Sequence, residues 1–222
     1  MPENDNTAGD LSAGTSKTTS KRVQVPEQAP LTEEQIRAAH VGEVVPQAGP
    51  IHIVAYDPAW PQLFEREAKR IRATLGDQVL LLEHVGSTSV PGLAAKPRID
   101  LLLVVANSAD ESAYVPALEA AAYVLRIREP EWYEHRMFTG PDTAINLHVF
   151  SPGCPEIHRM LLFRNRLRNN PSDRQLYERT KRELARLDWK YTQNYADAKT
   201  TIVEEILARA QEGAGEEARE GE

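Results

Sequence analysis

Apolar and polar positions along this chain follow two periods, one helical and one extended, which together predict an α+β fold. The helical period is clearest over 60–75, where an apolar stripe ends at Gly76. Two apolar runs, 79–85 and 99–106, are typical of buried strands, and residues 144–150 alternate like one arm of a hairpin. The remaining predicted elements are helices over 31–40, 108–122, 155–169, from 170 onward and over 192–210, strands over 51–56 and 123–127, and the other hairpin arm over 132–138. We therefore expect a mixed or antiparallel sheet packed with helices and followed by a helical C-terminal section.

The two ends of the chain differ in composition from the part between them. Residues 1–30 are polar and almost free of large apolar side chains, which predicts a disordered N-terminal tail. Residues 211–222 hold five Glu and one Arg, which predicts an acidic C-terminal tail. Because that tail contributes −4 to the net charge of −7, the body over 31–210, which we interpret as one domain, is nearly neutral. We expect no binding to duplex nucleic acid, since a strongly basic footprint is missing.

Cysteine content and hydropathy bear on the location of the protein. Cys154 is the only cysteine, so no internal disulfide can form, which is consistent with a reducing cytoplasm. No apolar run reaches the roughly 18 residues of a membrane span, and residues 1–30 lack the apolar centre of a signal peptide. The expectation is a cytoplasmic protein that does not contact membranes.

The candidate chemistry is concentrated in the segment HVGSTSVPGLAAKPRID, residues 84–100. Gly86 and Ser87 follow the first apolar run, and Asp100 opens the second run after twelve intervening residues. A turn with so little side-chain bulk lets backbone N–H groups and hydroxyls approach a phosphate closely. The turn is not a P-loop, because Lys96 is followed by proline and the required spacing does not occur. The structural alternative is a turn that only joins two elements.

A Gly-Ser pair after one strand, followed at short range by Asp-x-Asp on the next, is the signature of the nucleotidyltransferase (polymerase-β-like) superfamily. The whole string over 84–100 resembles the GrpB family, a bacterial branch of that superfamily. The later segments NLHVF, LLFRNRLRNNP and DAKTTIVEEIL, which begin at residues 146, 161 and 197, resemble GrpB proteins as well. The resemblance runs from about residue 51 to 210 and implies a nucleotidyltransferase-like fold.

The resemblance implies two classes of function. The first is an enzyme that moves a nucleotidyl or phosphoryl group onto a small acceptor, with a nucleotide and a small molecule as its partners. The second is a non-catalytic accessory or folding module that keeps an anion-binding pocket, because some GrpB domains are fused to dephospho-CoA kinase. The acceptor, the nucleotide and the oligomeric state are not specified by the sequence.

The chain departs from the superfamily pattern at its metal ligands. Active enzymes of this type hold two divalent ions with Asp-x-Asp and a third acid. Leu102 stands at the second acid's position, and the later strand offers Asn146 and His148 in place of the third. One carboxylate, one amide and one imidazole make a poor cage for a hard cation. We expect Asp100 to be the only metal ligand, with Mg²⁺ binding only when a nucleotide is bound.

The candidate site residues fall into three groups. Asp100 and His148 are the catalytic candidates, with His148 as a general base or an orienting group. The candidate phosphate-binding residues are Gly86, Ser87, Thr88, Ser89, Lys96, Arg164 and Lys199. His84, His135 and Asn146 are further candidates.

Each group has a structural alternative. Asp100 can be held by a salt bridge to Lys96 or Arg98, and His84 can be a core histidine bonded to the backbone. The ten Lys and Arg over 159–190 form a solvated surface by default, with one or two guanidiniums turned into the cleft. For the adjacent aromatic pair at 132 and 133 we expect a place in the hairpin core, not a stacking platform.

Overall fold

Five strands form one mixed sheet in the order β1-β2-β5-β4-β3. The computed structural model describes residues 30–47 and 49–220 of the chain. The strands are β1 (Leu81–Val85), β2 (Ile99–Val104), β3 (Val124–Glu129), β4 (His135–Thr139) and β5 (Ile145–Phe150). The helices are α1 (Glu33–Ala39), α2 (Trp60–Leu75), α3 (Glu111–Ala120), α4 (Pro155–Asn169), α5 (Pro171–Leu184), α6 (Thr192–Asp197) and α7 (Thr200–Glu220). The α+β class expected from the resemblance to nucleotidyltransferases, a mixed sheet packed with helices, is confirmed.

The central pair of strands, β2 and β5, is parallel, whereas every other pair is antiparallel. In the parallel register Asp100 lies beside Asn146, and Leu102 lies beside His148. Successive side chains of a strand point to opposite faces, so these four residues share one face of the sheet. We call it the site face.

The opposite face, which we call the core face, carries the main hydrophobic core. Helices α2 and α3 pack against it, and the apolar stripe predicted over 60–75 supplies Trp60, Ala68, Ile71 and Leu75. The buried strand residues on this face are Ile99, Leu101 and Leu103 of β2 and Ile145, Leu147 and Val149 of β5. Each of the six is at most 1% exposed. The predicted alternation of β5 is therefore confirmed.

The C-terminal helices α4, α5 and α7 pack on one another beside the site face. A second apolar cluster joins them to the loop after the glycine turn, formed by Val90, Leu93, Leu167, Tyr177, Ile202 and Ile206. The loop between β1 and β2 is thus fixed by residues that come more than 70 positions later in the chain. The expected helical C-terminal section is confirmed.

Two predicted elements were wrong. Residues 51–56 do not form a strand, and only Val54 makes an isolated bridge, to Ala95. Ile51 is buried by packing against the side chains of Ala185 and Tyr195, so the segment needs no strand partner. The helix predicted over 192–210 is two helices, α6 and α7, separated at residues 198–199.

The capping box predicted for the first helix is confirmed. Thr32 accepts a hydrogen bond from the Gln35 backbone, and the Gln35 side chain accepts one from the Thr32 backbone. The N-terminal tail predicted over 1–30 lies outside the described residues, apart from residue 30. Helix α7 continues to Glu220, so most of the segment predicted as an acidic tail has a helical backbone.

Candidate functional site

The site is built around Asp100, which meets the glycine turn at the start of β2. Gly86 has φ 67° and ψ −172°, a backbone conformation that residues with a Cβ atom rarely adopt. A Cβ at residue 86 would lie 3.0 Å from Cβ and Cγ of Asp100 and closer still to its Oδ2. The glycine is therefore required for two reasons, the backbone conformation and the close approach of the carboxylate.

Two side chains of β5 lie next to the carboxylate. Asn146 Nδ2 donates a 2.8 Å hydrogen bond to Asp100 Oδ1, and His148 Nε2 lies 4.0 Å from the same oxygen. The Asp100 side chain keeps 28% of its surface exposed. Burial raises the pKa of Asp100, and the Asn146 hydrogen bond and the charges of Lys199, Arg98 and Lys96 counteract that rise. The structure thus brings together Asp100, Asn146 and His148, as their shared strand face predicts.

The hydroxyl of Ser87 is held by Lys181, which was not among the predicted site residues. Lys181 of α5 is 2% exposed, and its Nζ donates to Ser87 Oγ at 3.0 Å and to the Ala94 carbonyl at 2.6 Å. Burial lowers the pKa of Lys181 to about 7, with the charge of Lys199 acting in the same direction. We placed Lys181 among the surface residues of the basic run, and this was wrong. One signal was available, since Tyr177 and Lys181 are four residues apart and share a helix face.

Three more basic side chains act on the charge of the Asp100 carboxylate, namely Lys199, Arg98 and Lys96. Lys199 lies at the break between α6 and α7, with Nζ 4.6 Å from the ring centre of Tyr195. Burial lowers the pKa of Lys199, and Asp100 is the main charge that opposes this shift. Burial also lowers the pKa of Lys96, assisted by the charges of Arg98 and Lys199. Arg98 donates to Asn146 Oδ1 at 3.2 Å, so it connects to the carboxylate through the amide.

Three predicted residues make other contacts. Thr88 donates to the Arg98 carbonyl at 3.2 Å, and Ser89 donates to the Gly86 carbonyl at 2.6 Å, so both hydroxyls close the turn. Arg164 donates to Glu83 Oε2 at 2.7 Å and to the His84 carbonyl at 3.0 Å, which ties α4 to β1.

His84 lies on the opposite side of β1 from Glu83, as a core histidine would. Its ring stacks on Phe64 with ring centres 4.8 Å apart, and its Nε2 lies 3.1 Å from Thr88 Oγ1. Burial lowers the pKa of His84 to about 4, assisted by the charges of Arg168 and Arg164. These contacts keep His84 away from the Asp100 carboxylate.

The predicted candidate His135 contacts His148 directly. Its Nε2 lies 3.0 Å from His148 Nδ1, and its Nδ1 lies 2.7 Å from Glu129 Oε2. Burial lowers the pKa of His148 to about 3, and the charge of His135 acts in the same direction. Glu129 was not selected from the sequence, because it lies at the end of a strand with no local motif around it.

Leu102 fills the position of the missing second acid with apolar packing. It is fully buried, and its neighbours include Val85, Phe150 and the α4 residues Ile157 and Met160. Among residues 30–47 and 49–212, no group of three or more His, Cys, Asp or Glu side chains is arranged to hold a metal ion. The donor set around Asp100 therefore does not fit a metal ion held by the protein alone.

A cleft of about 280 Å³ opens beside these groups. Its lining includes the basic residues Lys199 and Arg159, the aromatic residues Tyr177 and Trp132, and the acids Glu156, Asp197 and Glu204. Trp132 packs against Phe150 and His135, so it belongs to the hairpin core as expected and also borders the cleft. In the part of the chain that the structure describes, no helix combines the length and the apolar character needed to cross a bilayer.

These features define a mixed-sheet α+β protein in which basic side chains are gathered around one carboxylate, next to a cleft that Lys199 also lines. The sequence profile of the family described as "GrpB protein" matches residues 50–209. The chain therefore belongs to the GrpB family, and the resemblance in the sequence is confirmed.

Individual relatives agree with this assignment. A UPF0157 protein of Halalkalibacterium halodurans is 61% identical over 181 residues, which cover 82% of this chain and 93% of the relative. The crystal structure of the conserved protein GrpB from Enterococcus faecalis is similar, with a TM-score of 0.65 and 32% identity over 73% of this chain and 99% of that one. A dephospho-CoA kinase of Mycolicibacterium paratuberculosis is 30% identical over 159 residues, 60% of this chain but 39% of the kinase.

Proposed function

We propose that this chain binds a nucleotide through its phosphates in the cleft and transfers a nucleotidyl or phosphoryl group to a small acceptor. The observation that carries the proposal is the convergence of four basic side chains on one carboxylate, Lys96, Arg98, Lys181 and Lys199 around Asp100. Lys181 is buried and the other three are partly buried, and gathering like charges in such positions is costly unless an anion compensates for them. A chain of phosphates supplies that compensation.

The glycine turn supports the same interpretation. Ser87 places its hydroxyl beside Lys181 Nζ, so both can donate to one phosphate oxygen. A phosphate there would favour the charged form of Lys181, whose pKa burial lowers to about 7. Lys199, at the break between α6 and α7, lines the cleft. In this arrangement the lysines neutralise charge that develops on the transferred group.

The strand residues supply the second half of the chemistry. Asp100 and His148 lie side by side on the site face, both partly exposed, and both can accept a proton or a hydrogen bond from an acceptor hydroxyl. Mg²⁺ would enter only with the nucleotide, whose phosphates supply the oxygens that the protein lacks. Because the residues around Asp100 do not fit a metal without the nucleotide, we assign no step to it.

A non-catalytic accessory module is the second candidate. The observation that favours it is Leu102, where close apolar packing replaces a metal ligand. The similarity to part of a dephospho-CoA kinase supports an accessory role next to a separate catalytic domain. Both candidates keep the anion pocket, so binding alone does not distinguish them.

Calorimetric titration with ATP, GTP and CTP, each with and without Mg²⁺, tests the binding step. We expect at least one nucleotide to bind, and Ser87→Ala and Lys181→Met each to weaken binding by about 10- to 100-fold, the range of a lost hydrogen bond to a charged group. Lys69→Met is the matched control, because Lys69 is exposed on α2. Binding that is unaffected by the two site variants would contradict the location.

Nucleotides labelled in the α- or the γ-phosphate test the transfer step on the same samples. Label that moves from the α position to a small molecule indicates nucleotidyl transfer, and label from the γ position indicates phosphoryl transfer. Tight binding with no transfer of either label to any of a broad set of hydroxylated and aminated acceptors would favour the accessory module.

A further inference from the structure

Three side chains from three adjacent strands form a continuous hydrogen-bonded line that ends beside Asp100. Glu129 of β3 and His135 of β4 are register partners, and His148 of β5 follows on the same face. The two contacts measure 2.7 Å, from Glu129 Oε2 to His135 Nδ1, and 3.0 Å, from His135 Nε2 to His148 Nδ1. The far end of the line, His148 Nε2, lies 4.0 Å from Asp100 Oδ1, too far for a direct hydrogen bond.

The partners decide where the protons lie. An ionised Glu129 only accepts hydrogen bonds, so His135 must carry its proton on Nδ1. In neutral His135 the other nitrogen, Nε2, is then an acceptor, and it takes the hydrogen bond from His148 Nδ1–H. Neutral His148 therefore has no proton on Nε2, and that nitrogen lies on the side of Asp100.

We propose that Glu129 and His135 are positioning residues that hold His148 in this tautomer, so that His148 Nε2 serves as the base for the acceptor hydroxyl. The role toward an acceptor rests on the proposed function, whereas the tautomer does not. An acceptor hydroxyl fits between His148 Nε2 and Asp100 Oδ1, where it can donate to one and lie against the other.

The proton can be followed through the line. His148 Nε2 takes the hydroxyl proton as the acceptor oxygen forms its bond to phosphorus and the bond from phosphorus to the leaving pyrophosphate or nucleoside diphosphate breaks. The proton on His148 Nδ1 moves to His135 Nε2, so His148 is neutral with its proton on Nε2, and His135 becomes a cation that pairs with Glu129. The starting state returns when His148 Nε2 gives its proton to the leaving group or to solvent and the proton on His135 Nε2 moves back to His148 Nδ1.

The surroundings of the His135 and His148 rings are consistent with these roles, in which His148 is the base and His135 takes up the proton. His135 is 4% exposed and is stacked between His148 and Phe150, with ring centres 5.2 and 4.8 Å away, which fixes its orientation. The lowered pKa of His148 agrees with a ring that passes the proton on and does not keep it. The Glu129 side chain is 22% exposed, so the cation would form next to a carboxylate that solvent reaches.

Nitrogen NMR of the full chain with ¹⁵N-labelled histidine measures the tautomer directly. At pH 7.5 we expect His148 and His135 each to carry the proton on Nδ1. A His148 that carries its proton on Nε2 would overturn the proposal, and this result needs no variant. The measurement also needs no knowledge of the acceptor.

The Glu129→Ala variant tests whether Glu129 sets the tautomers of His135 and His148. Without the carboxylate, we expect most of the His135 and His148 population to lose the Nδ1–H form, with Nε2–H signals taking its place. Glu131→Ala is the matched control, since Glu131 is an exposed carboxylate two residues away, and it should leave both tautomers unchanged. A correctly folded Glu129→Ala protein with wild-type tautomers would show that Glu129 does not set them.

Nucleotide titration of the same labelled sample separates this inference from the proposed function. If no nucleotide binds while His148 keeps the Nδ1–H tautomer, the proposed function fails and the positioning by Glu129 stands. If a nucleotide binds while His148 carries an Nε2 proton, the positioning fails and the binding cleft stands.

Discussion

The two faces of the sheet are built from the same strands and have opposite roles. On the core face, Leu101 and Leu147 are fully buried in the main core against α2 and α3. One residue away in sequence, Asp100 and His148 turn to the site face and keep 28% and 22% of their side-chain surface. Because side chains alternate along a strand, residues that stabilise the core and residues of the candidate site occur next to each other in the same six-residue strand.

The site face carries an energetic cost that the core face does not. Burial raises the pKa of Asp100 and lowers the pKa values of His148 and Lys181, so each group is pushed toward its neutral form. A protein tolerates such groups when they serve a ligand or a reaction. The comparison predicts that core-face changes reduce stability most, and that site-face changes affect binding most.

Leu147→Ala should have the largest effect on folding. It removes a fully buried side chain from the centre of the core face and should lower the free energy of unfolding by about 2–5 kcal/mol, as transfer and cavity terms both apply. Urea denaturation followed by circular dichroism measures the change. Asp100→Asn is the matched site-face variant, and it should retain stability because the new amide can still accept from Asn146. A larger loss in Asp100→Asn than in Leu147→Ala would reverse the assignment of the two faces.

The residues of the core face could be predicted from the sequence, whereas some residues of the candidate site could not. Alternation over 144–150 placed Asn146 and His148 together, and the Gly-Ser turn followed by Asp100 marked the site. These signals are local, with a period of two or a gap of about a dozen residues. Lys181 contacts Ser87 across 94 positions, and no local pattern records such a contact. Glu129 was missed for a related reason, since only strand register brings it beside His135.

Gly86→Ala should have an intermediate effect, because it strains the junction between the two faces. The backbone at φ 67° disfavours alanine, and the new Cβ would overlap the Asp100 carboxylate. We expect a loss of about 1–3 kcal/mol in the free energy of unfolding together with weakened nucleotide binding. In the double variant with Asp100→Gly the overlap disappears, so the two losses of stability should be less than additive. Strict additivity would show that Gly86 and Asp100 do not meet.

The smallest expected effect is a change in the free energy of unfolding with pH that arises from the titration of Lys181. Burial lowers its folded-state pKa to about 7, whereas an unfolded lysine titrates near about 10.4. Between these values the unfolded chain binds more protons, so this group makes the protein more stable as the pH rises, and the cost of its charge is greatest below about pH 7. Relative to Lys181→Met, the wild type should therefore gain about 1 kcal/mol between pH 7 and pH 8.

Urea denaturation at the two pH values measures this difference, and Lys69→Met controls for the loss of a lysine that stays exposed. Other titrating groups, including Lys199, are present in both proteins and cancel to first order in the comparison. A bound nucleotide should abolish the gain, because its phosphates keep Lys181 charged and raise its pKa toward the unfolded value. A wild type and a Lys181→Met variant that respond alike to pH would mean that Lys181 keeps an ordinary pKa, and the cationic cleft would then owe its charge to the other three basic residues.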